Sequence, residues 1–137
     1  MKLCSACLLG IRCRYDGKSK PDKKIIGLSE KEALIPVCPE QLGGLPTPRE
    51  NSEIKGKKVI TASGKDVTKN FKRGAEKTLK IAKLFNIKQA IFKQKSPSCG
   101  CGKIYDGTFS RKIIKGDGIT TALLKKNGIK VIPEEDI

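Results

Sequence analysis

The sequence predicts an α/β domain with a mainly parallel sheet. Three observations carry this expectation. Short apolar runs of strand length alternate with helical segments along the chain. No repeat and no linker divides it. Its 137 residues, 37% apolar before 14 glycines are added, sit in the ordinary range for one globular domain.

The elements follow in order. Residues 2–9 form a short apolar run ending at Gly10, the pattern of a buried strand entering a loop. Residues 10–27 carry Gly, Lys and Pro, with Tyr15-Asp16-Gly17 as a turn. Ser29 to Leu34 predicts a short helix, with Ser29 as N-cap and Glu32 at the capping-box position. Leu34 to Cys38 reads as a second strand, whose Pro36 suits a strand start or edge. Pro39 to Arg49, with Pro39, Pro46 and Pro48 and a Gly43-Gly44 pair, reads as a long loop built to hold a shape, the glycines letting it approach the site closely. Residues 53–63 suit a small hairpin with Gly56 in the turn.

Asp66-Val67-Thr68 opens the clearest helix, over 67–85. Val67, Phe71, Ala75, Leu79, Ala82 and Phe85 make its apolar stripe, and Asn86 suits a left-handed stop. Residues 88–93 read as a strand, with Ser96-Pro97-Ser98-Cys99-Gly100 at its carboxyl end. A Gly-rich loop follows over 103–118. Then come a helix over 119–127 closed by Gly128 and a last strand at 129–132. The expected architecture is a single Rossmann-like domain, residues 1–137, with its site at the carboxyl ends of the strands.

Composition narrows the chemistry. The chain has no histidine, so it holds no His-ligated metal and no Ser-His or Cys-His pair. Proton transfer falls to Glu, Asp, Lys, Tyr, Cys or water, and any metal to sulfur and oxygen. No apolar run approaches the roughly 20 residues of a membrane span, and the N-terminus lacks the long core of a signal peptide. The expected location is the cytoplasm, where six cysteines serve as metal ligands, catalytic thiols or core residues rather than disulfides. The 29 Lys and Arg against 14 Asp and Glu give a net charge of +15. That balance suits an anionic partner, and it also arises from a thermophile-like lysine habit with solvated faces. Aromatics are 4%, too few for a stacking platform, so a small anion is favoured over nucleic acid.

Three cysteines share a placement. Cys7 closes the first expected strand, Cys38 the second, and Cys99 stands in the turn after the third. The carboxyl ends of neighbouring parallel strands converge on one crevice, so residues 31 and 61 positions apart can meet there. Three thiolates at one point suit a soft metal or an iron–sulfur cluster. Other arrangements remain open on spacing alone: a Cys4-x-x-Cys7 dithiol, a zinc site from Cys4, Cys7, Cys99 and Cys101, or inert buried thiols. Strand parity turns Cys4 away from Cys7, which leaves Cys13 and Cys101 as candidates for a fourth ligand.

Longer motifs stand in order along the chain: Ser5-Ala6-Cys7-Leu8-Leu9-Gly10, Cys13-Arg14-Tyr15-Asp16-Gly17, Val37-Cys38-Pro39-Glu40 and Gly43-Gly44-Leu45-Pro46-Thr47-Pro48-Arg49. They continue through Asp66-Val67-Thr68, Arg73-Gly74-Ala75, Ser96-Pro97-Ser98-Cys99-Gly100, Ile104 to Phe109 and Gly116-Asp117-Gly118, covering nearly the whole chain. In these motifs the chain resembles the thiouracil desulfidase (TudS-like) family, many of whose members were catalogued as a domain of unknown function. The resemblance implies a [4Fe-4S] cluster on Cys7, Cys38 and Cys99 with one iron open. It implies a non-redox reaction that turns the thiocarbonyl of a thiopyrimidine (2-thiouracil, 4-thiouridine or its monophosphate) into a carbonyl and releases sulfide. It also implies Glu40 as the base toward water, with Ser96 donating a hydrogen bond or relaying a proton. Arg14, Tyr15, Asp16, Arg49 and Ser98 are the candidate substrate-binding residues. Arg49 would either neutralise a phosphate or pin its loop. A second reading, from a different class, is a non-catalytic iron–sulfur or zinc module holding RNA through its basic surface.

Overall fold

The computed structural model describes residues 1–137. Four parallel strands form the central sheet: β1 (Lys2–Ser5), β2 (Leu34–Val37), β5 (Gln89–Phe92) and β8 (Lys130–Pro133), in the spatial order β2-β1-β5-β8. Between β2 and β5 lie α2 (Pro39–Leu42), the hairpin β3 (Ser52–Lys55) and β4 (Lys58–Thr61), and the long helix α3 (Thr68–Leu84). Between β5 and β8 lie a second hairpin, β6 (Cys101–Tyr105) and β7 (Ile113–Asp117), and α4 (Ile119–Lys126). Helix α1 (Lys23–Ser29) precedes β2. The α/β class and the parallel sheet are as the sequence predicts.

Alternation along the strands sorts the core onto both sheet faces. Leu3, Ala90, Phe92 and Val131 pack with Ala82 and Leu124 of α3 and α4. Cys4 and Ile91 point the other way, toward Ile25 of α1 and Leu8. The sheet is therefore covered on both sides, and its strand ends stay free to carry side chains toward a common crevice.

Several expectations are corrected. The first run ends as a strand at Ser5, where pairing with β2 stops, and Ala6–Leu9 turns into a 3₁₀ helix closed by Gly10 at φ +92°. Cys7 thus sits in a turn. Helix α1 starts earlier than Ser29, because the Asp22 side chain accepts from the N–H groups of Lys24 and Ile25. Ser29 is the last helical residue, its hydroxyl donating to the Ile26 carbonyl. The stretch after Cys38 is helical rather than loop for four residues, with Pro39 at the first helical position. The 103–118 segment is mostly hairpin. Along α3, Thr78 is buried and bonded to the Gly74 carbonyl at 2.8 Å, whereas Phe85 lies beyond the helix and is 57% exposed. The β3–β4 hairpin, Asn86 at φ +53° and Gly128 at φ +79° match the sequence reading.

Gly43 and Gly74 have a role that differs from the expected approach to the site. They bring two backbones together. A methyl group at Gly74 would overlap the Pro39 carbonyl oxygen, and one at Gly43 would overlap the carbonyl of Asn70. The Asn70 amide bonds the Gly43 carbonyl at 2.9 Å. α2 is thereby pressed onto α3 at one fixed height. Gly74→Ala is expected to cost roughly 1–3 kcal/mol through overpacking and to displace α2. The urea midpoint reads it, and an unchanged midpoint would mean the two helices can part freely.

Candidate active site

A cavity of about 530 Å³ opens at the carboxyl ends of β1, β2 and β5. Its size is that of a small-molecule site. Each strand end delivers one cysteine to it: Cys7 from the 3₁₀ turn after β1, Cys38 from the N-cap of α2, and Cys99 from the turn after β5. The structure adds Cys13, from the turn following Gly10. Cys4 and Cys101 do not line the cavity. The Cys4 thiol faces the Ser5 carbonyl within the α1-side core, and the Cys101 thiol faces the Val131 carbonyl at 3.4 Å.

The loops bearing these thiols are tied down locally. The Ser96 hydroxyl oxygen accepts from the N–H groups of Ser98 (3.1 Å) and Cys99 (3.0 Å), which folds the 96–99 turn. The first turn of α4 then holds the same segment from behind. Ile119 N–H donates to the Pro97 carbonyl at 2.8 Å, Thr120 N–H to Ser98 at 3.0 Å, and the Thr121 hydroxyl to Cys99 at 2.9 Å. Gly118 is needed there, since a Cβ would stand 2.5 Å from the Ser98 carbonyl. The Ser5 hydroxyl accepts from Lys93 N–H at 2.9 Å and ties the ends of β1 and β5 together.

The thiols perturb one another. Burial pushes the Cys99 thiol up to about 12, and the charges of Cys38 and Glu40 add to this against hydrogen bonds from Ser5 and Ser98. Cys38 is raised first by its hydrogen bond with Cys13 and then by burial. For Cys13 the Cys38 bond lowers the pKa, but the bond with Cys7 and burial outweigh it, leaving about 11. The Cys38 thiol donates to the Cys13 carbonyl at 3.6 Å, which sets the two residues side by side. Buried thiols raised in this way keep their protons at neutral pH until a cation replaces them. No three of the chain's thiols and carboxylates close on a single ion. They surround a space instead of a point.

Glu40 is held from two sides on the first turn of α2. Its Oε1 accepts from Arg49 Nε at 3.0 Å and its Oε2 from the Ser98 hydroxyl at 3.0 Å. Ser98 Oγ stands 2.9 Å from Ser96 Oγ. A carboxylate only accepts, so Ser98 donates to Glu40 and receives the hydrogen of Ser96. The chain of donors therefore runs one way, from Ser96 through Ser98 to Glu40.

Of the other expected residues, Arg14, Tyr15, Arg49, Ser96 and Ser98 line the cavity and Asp16 does not. Asp16 closes its turn by accepting from Lys18 N–H at 3.0 Å and faces Arg14 Nε at 3.6 Å. Slight desolvation works against it, but the Lys18 bond and the Arg14 charge hold its carboxyl below the usual value. The Arg14 guanidinium lies 5.6 Å from the Tyr15 ring centre.

The far wall comes from residues the sequence did not single out. Glu53, 4% exposed, accepts from the N–H groups of Gly107 (3.0 Å) and Phe109 (3.2 Å). It braces the β6–β7 connection, where Tyr105, Phe109 and Arg111 line the same cavity as the thiols. Lys95, Phe109 and Arg111 are three of the chain's four non-glycine residues at positive φ, and all three line the cavity. Strained backbone gathers where a site demands it. The burial of Glu53 is a tertiary fact, and its residue type alone does not set it apart from the chain's other carboxylates.

The family model for 2-thiouracil desulfurase matches residues 3–136. The chain belongs to the 2-thiouracil desulfurase family. Its relatives agree. The uncharacterized protein YbbK of Bacillus subtilis (strain 168) is 48% identical over 147 residues, spanning 100% of this chain and 97% of YbbK. The [4Fe-4S]-dependent thiouracil desulfidase TudS matches with a TM-score of 0.94 at 45% identity, over 99% of this chain and 91% of TudS. In this 2-thiouracil desulfurase family member no helix is long and apolar enough to cross a membrane.

Proposed function

We propose that this chain is a cytoplasmic, iron–sulfur-dependent desulfidase that converts a thiopyrimidine to its oxo form with release of sulfide. Cys7, Cys38 and Cys99 are its cluster ligands. The reaction balances without a redox partner: R₂C=S + H₂O → R₂C=O + H₂S. The observation that carries the reading is the one-way chain Ser96–Ser98–Glu40 set beside thiols from three strand ends in one cavity.

When bound, a three-cysteine [4Fe-4S] cluster supplies an open, sulfur-preferring Lewis acid. The chain's own residues do the rest. Glu40 takes a proton from the attacking water at Oε2, the oxygen that Arg49 does not hold. The same proton can reach that oxygen through Ser96 and Ser98, each hydroxyl passing on its own hydrogen as it takes one up. Tyr15, Tyr105 and Phe109 offer apolar faces to a pyrimidine ring, and Ser5, Gln94 and Asn51 add polar groups to the wall. Lys20, Lys95 and Arg111 line the same cavity without an ion-pair partner. They suit a phosphorylated thionucleoside better than a free base.

The test is a sulfide-release assay on anaerobically reconstituted protein with 2-thiouracil, 4-thiouridine and 4-thiouridine monophosphate. Release from at least one, with the monophosphate fastest, is expected. Iron-loaded protein that releases sulfide from none of them, while binding RNA with steep salt dependence, would replace the enzyme with a binding module.

A further inference from the structure

Arg49 has the contacts of a positioning group. Its side chain is 7% exposed. Nε donates to Glu40 Oε1 at 3.0 Å, Nη1 to the Pro46 carbonyl at 3.1 Å and to Thr47 Oγ1 at 3.0 Å, and Nη2 to the Cys13 carbonyl at 2.9 Å. Its own backbone N–H donates to the Tyr15 carbonyl at 2.8 Å. Of the five guanidinium N–H groups, four are engaged and one on Nη2 is left. Bidentate capture of a phosphate or carboxylate needs two free donors along one edge. Arg49 has no such edge to give.

We infer that Arg49 is the positioning residue for Glu40 and not a receptor for a substrate anion; this rests on the reading of Glu40 as the base. Three separately folded segments meet at its fork. The turn after β1 contributes the Cys13 carbonyl to the fork and the Tyr15 carbonyl to the Arg49 backbone N–H. The 46–49 loop contributes Pro46 and Thr47. Helix α2 contributes Glu40, and its Gln41 amide also bonds Thr47 Oγ1 at 2.8 Å. A planar guanidinium bonded on three sides is itself immobile. The carboxylate oxygen it holds is then fixed, and with it the plane of the carboxylate. Oε2 is left facing Ser98 and the cavity, so the two oxygens of Glu40 have different duties. A lysine ammonium is a point charge on a flexible stem and cannot hold these three directions at once.

The test uses cluster-loaded protein carrying Arg49→Met, Arg49→Lys or Thr47→Val, each alone and in a Glu40→Gln background. Substrates are 2-thiouracil, 4-thiouridine and its monophosphate. Iron content and thermal midpoint identify variants that fail to fold. Thr47→Val removes one acceptor while keeping the arginine, so it reports even where Arg49→Met does not fold. A misplaced catalytic group costs up to about 100-fold. The expected result is a fall in kcat of about 10- to 100-fold for Arg49→Met, by the same factor on every substrate that turns over, with KM little changed. Arg49→Lys recovers part of the rate, and Thr47→Val shows a smaller loss of the same kind. In the Glu40→Gln background these substitutions add almost nothing. A crystal structure of cluster-free Arg49→Met is expected to show Glu40 turned away from Ser98. A rise in KM confined to the monophosphate, with kcat intact, would overturn the inference, as would a full multiplicative loss in the Glu40→Gln background. Undiminished activity of Glu40→Gln alone removes the base assignment and this inference with it.

Discussion

Replacing Glu40 by Gln leaves the iron and sulfide content of the protein unchanged and lowers sulfide release by about 10²- to 10⁴-fold, the range of a lost general base. The size of the effect follows from the absence of substitutes. The chain has no histidine. Of the two carboxylates lining the cavity, Glu53 is occupied by the N–H groups of Gly107 and Phe109. Gln keeps the shape of Glu and still accepts from Arg49, so α2 stays in place. Its amide nitrogen donates where Oε2 accepted, which reverses the Ser98 and Ser96 hydroxyls. The variant therefore loses both the proton acceptor and the direction of the relay. Single-turnover sulfide release beside an iron assay measures it. Wild-type rates at full iron content would remove Glu40 from the chemistry.

The pieces of this site differ in how plainly they show in the sequence. The strand ends were legible because parallel sheets put ligand sites at carboxyl ends, and Cys7 and Cys38 close apolar runs while Cys99 stands in the turn after the third. Cys13 was visible only as a spare thiol, since a turn's course after Gly10 depends on the Tyr15–Arg49 backbone contact. The Ser96–Ser98–Glu40 alignment joins residues 58 positions apart and is a tertiary fact. Helix α2 was hidden by its own proline: Pro39 starts a helix as readily as it stiffens a loop. The β6–β7 hairpin was hidden by its glycines. Gly102 and Gly116 are cross-strand partners, and Ile113 and Ile114 are both partly exposed, so no clean apolar alternation marks the strands. Arg49 shows how far residue type alone carries. An arginine after a proline-rich loop suits an anion, but its donors are already engaged by Glu40 and three backbone or hydroxyl oxygens.

The six cysteines divide under alanine substitution according to the cavity. Cys7→Ala, Cys38→Ala and Cys99→Ala each abolish cluster retention, and with it all sulfide release, because two thiolates cannot hold the cluster against loss. Cys4→Ala and Cys101→Ala keep full iron content and activity, at a stability cost of about 1 kcal/mol for trimming a packed side chain, since neither thiol reaches the cavity. Cys13→Ala decides the coordination number. It lines the same cavity as Cys7, Cys38 and Cys99, and its carbonyl accepts from the Cys38 thiol at 3.6 Å, so it is the thiol placed to compete for the last iron. A fourth thiolate would close the position that substrate sulfur needs, and the protein would become an electron carrier or a structural cluster site. Retained iron and retained turnover in Cys13→Ala, measured with the Cys7→Ala loss as control, leave that position open to substrate. Loss of the cluster in Cys4→Ala or Cys101→Ala, with retention in Cys7→Ala, would overturn the ligand assignment altogether.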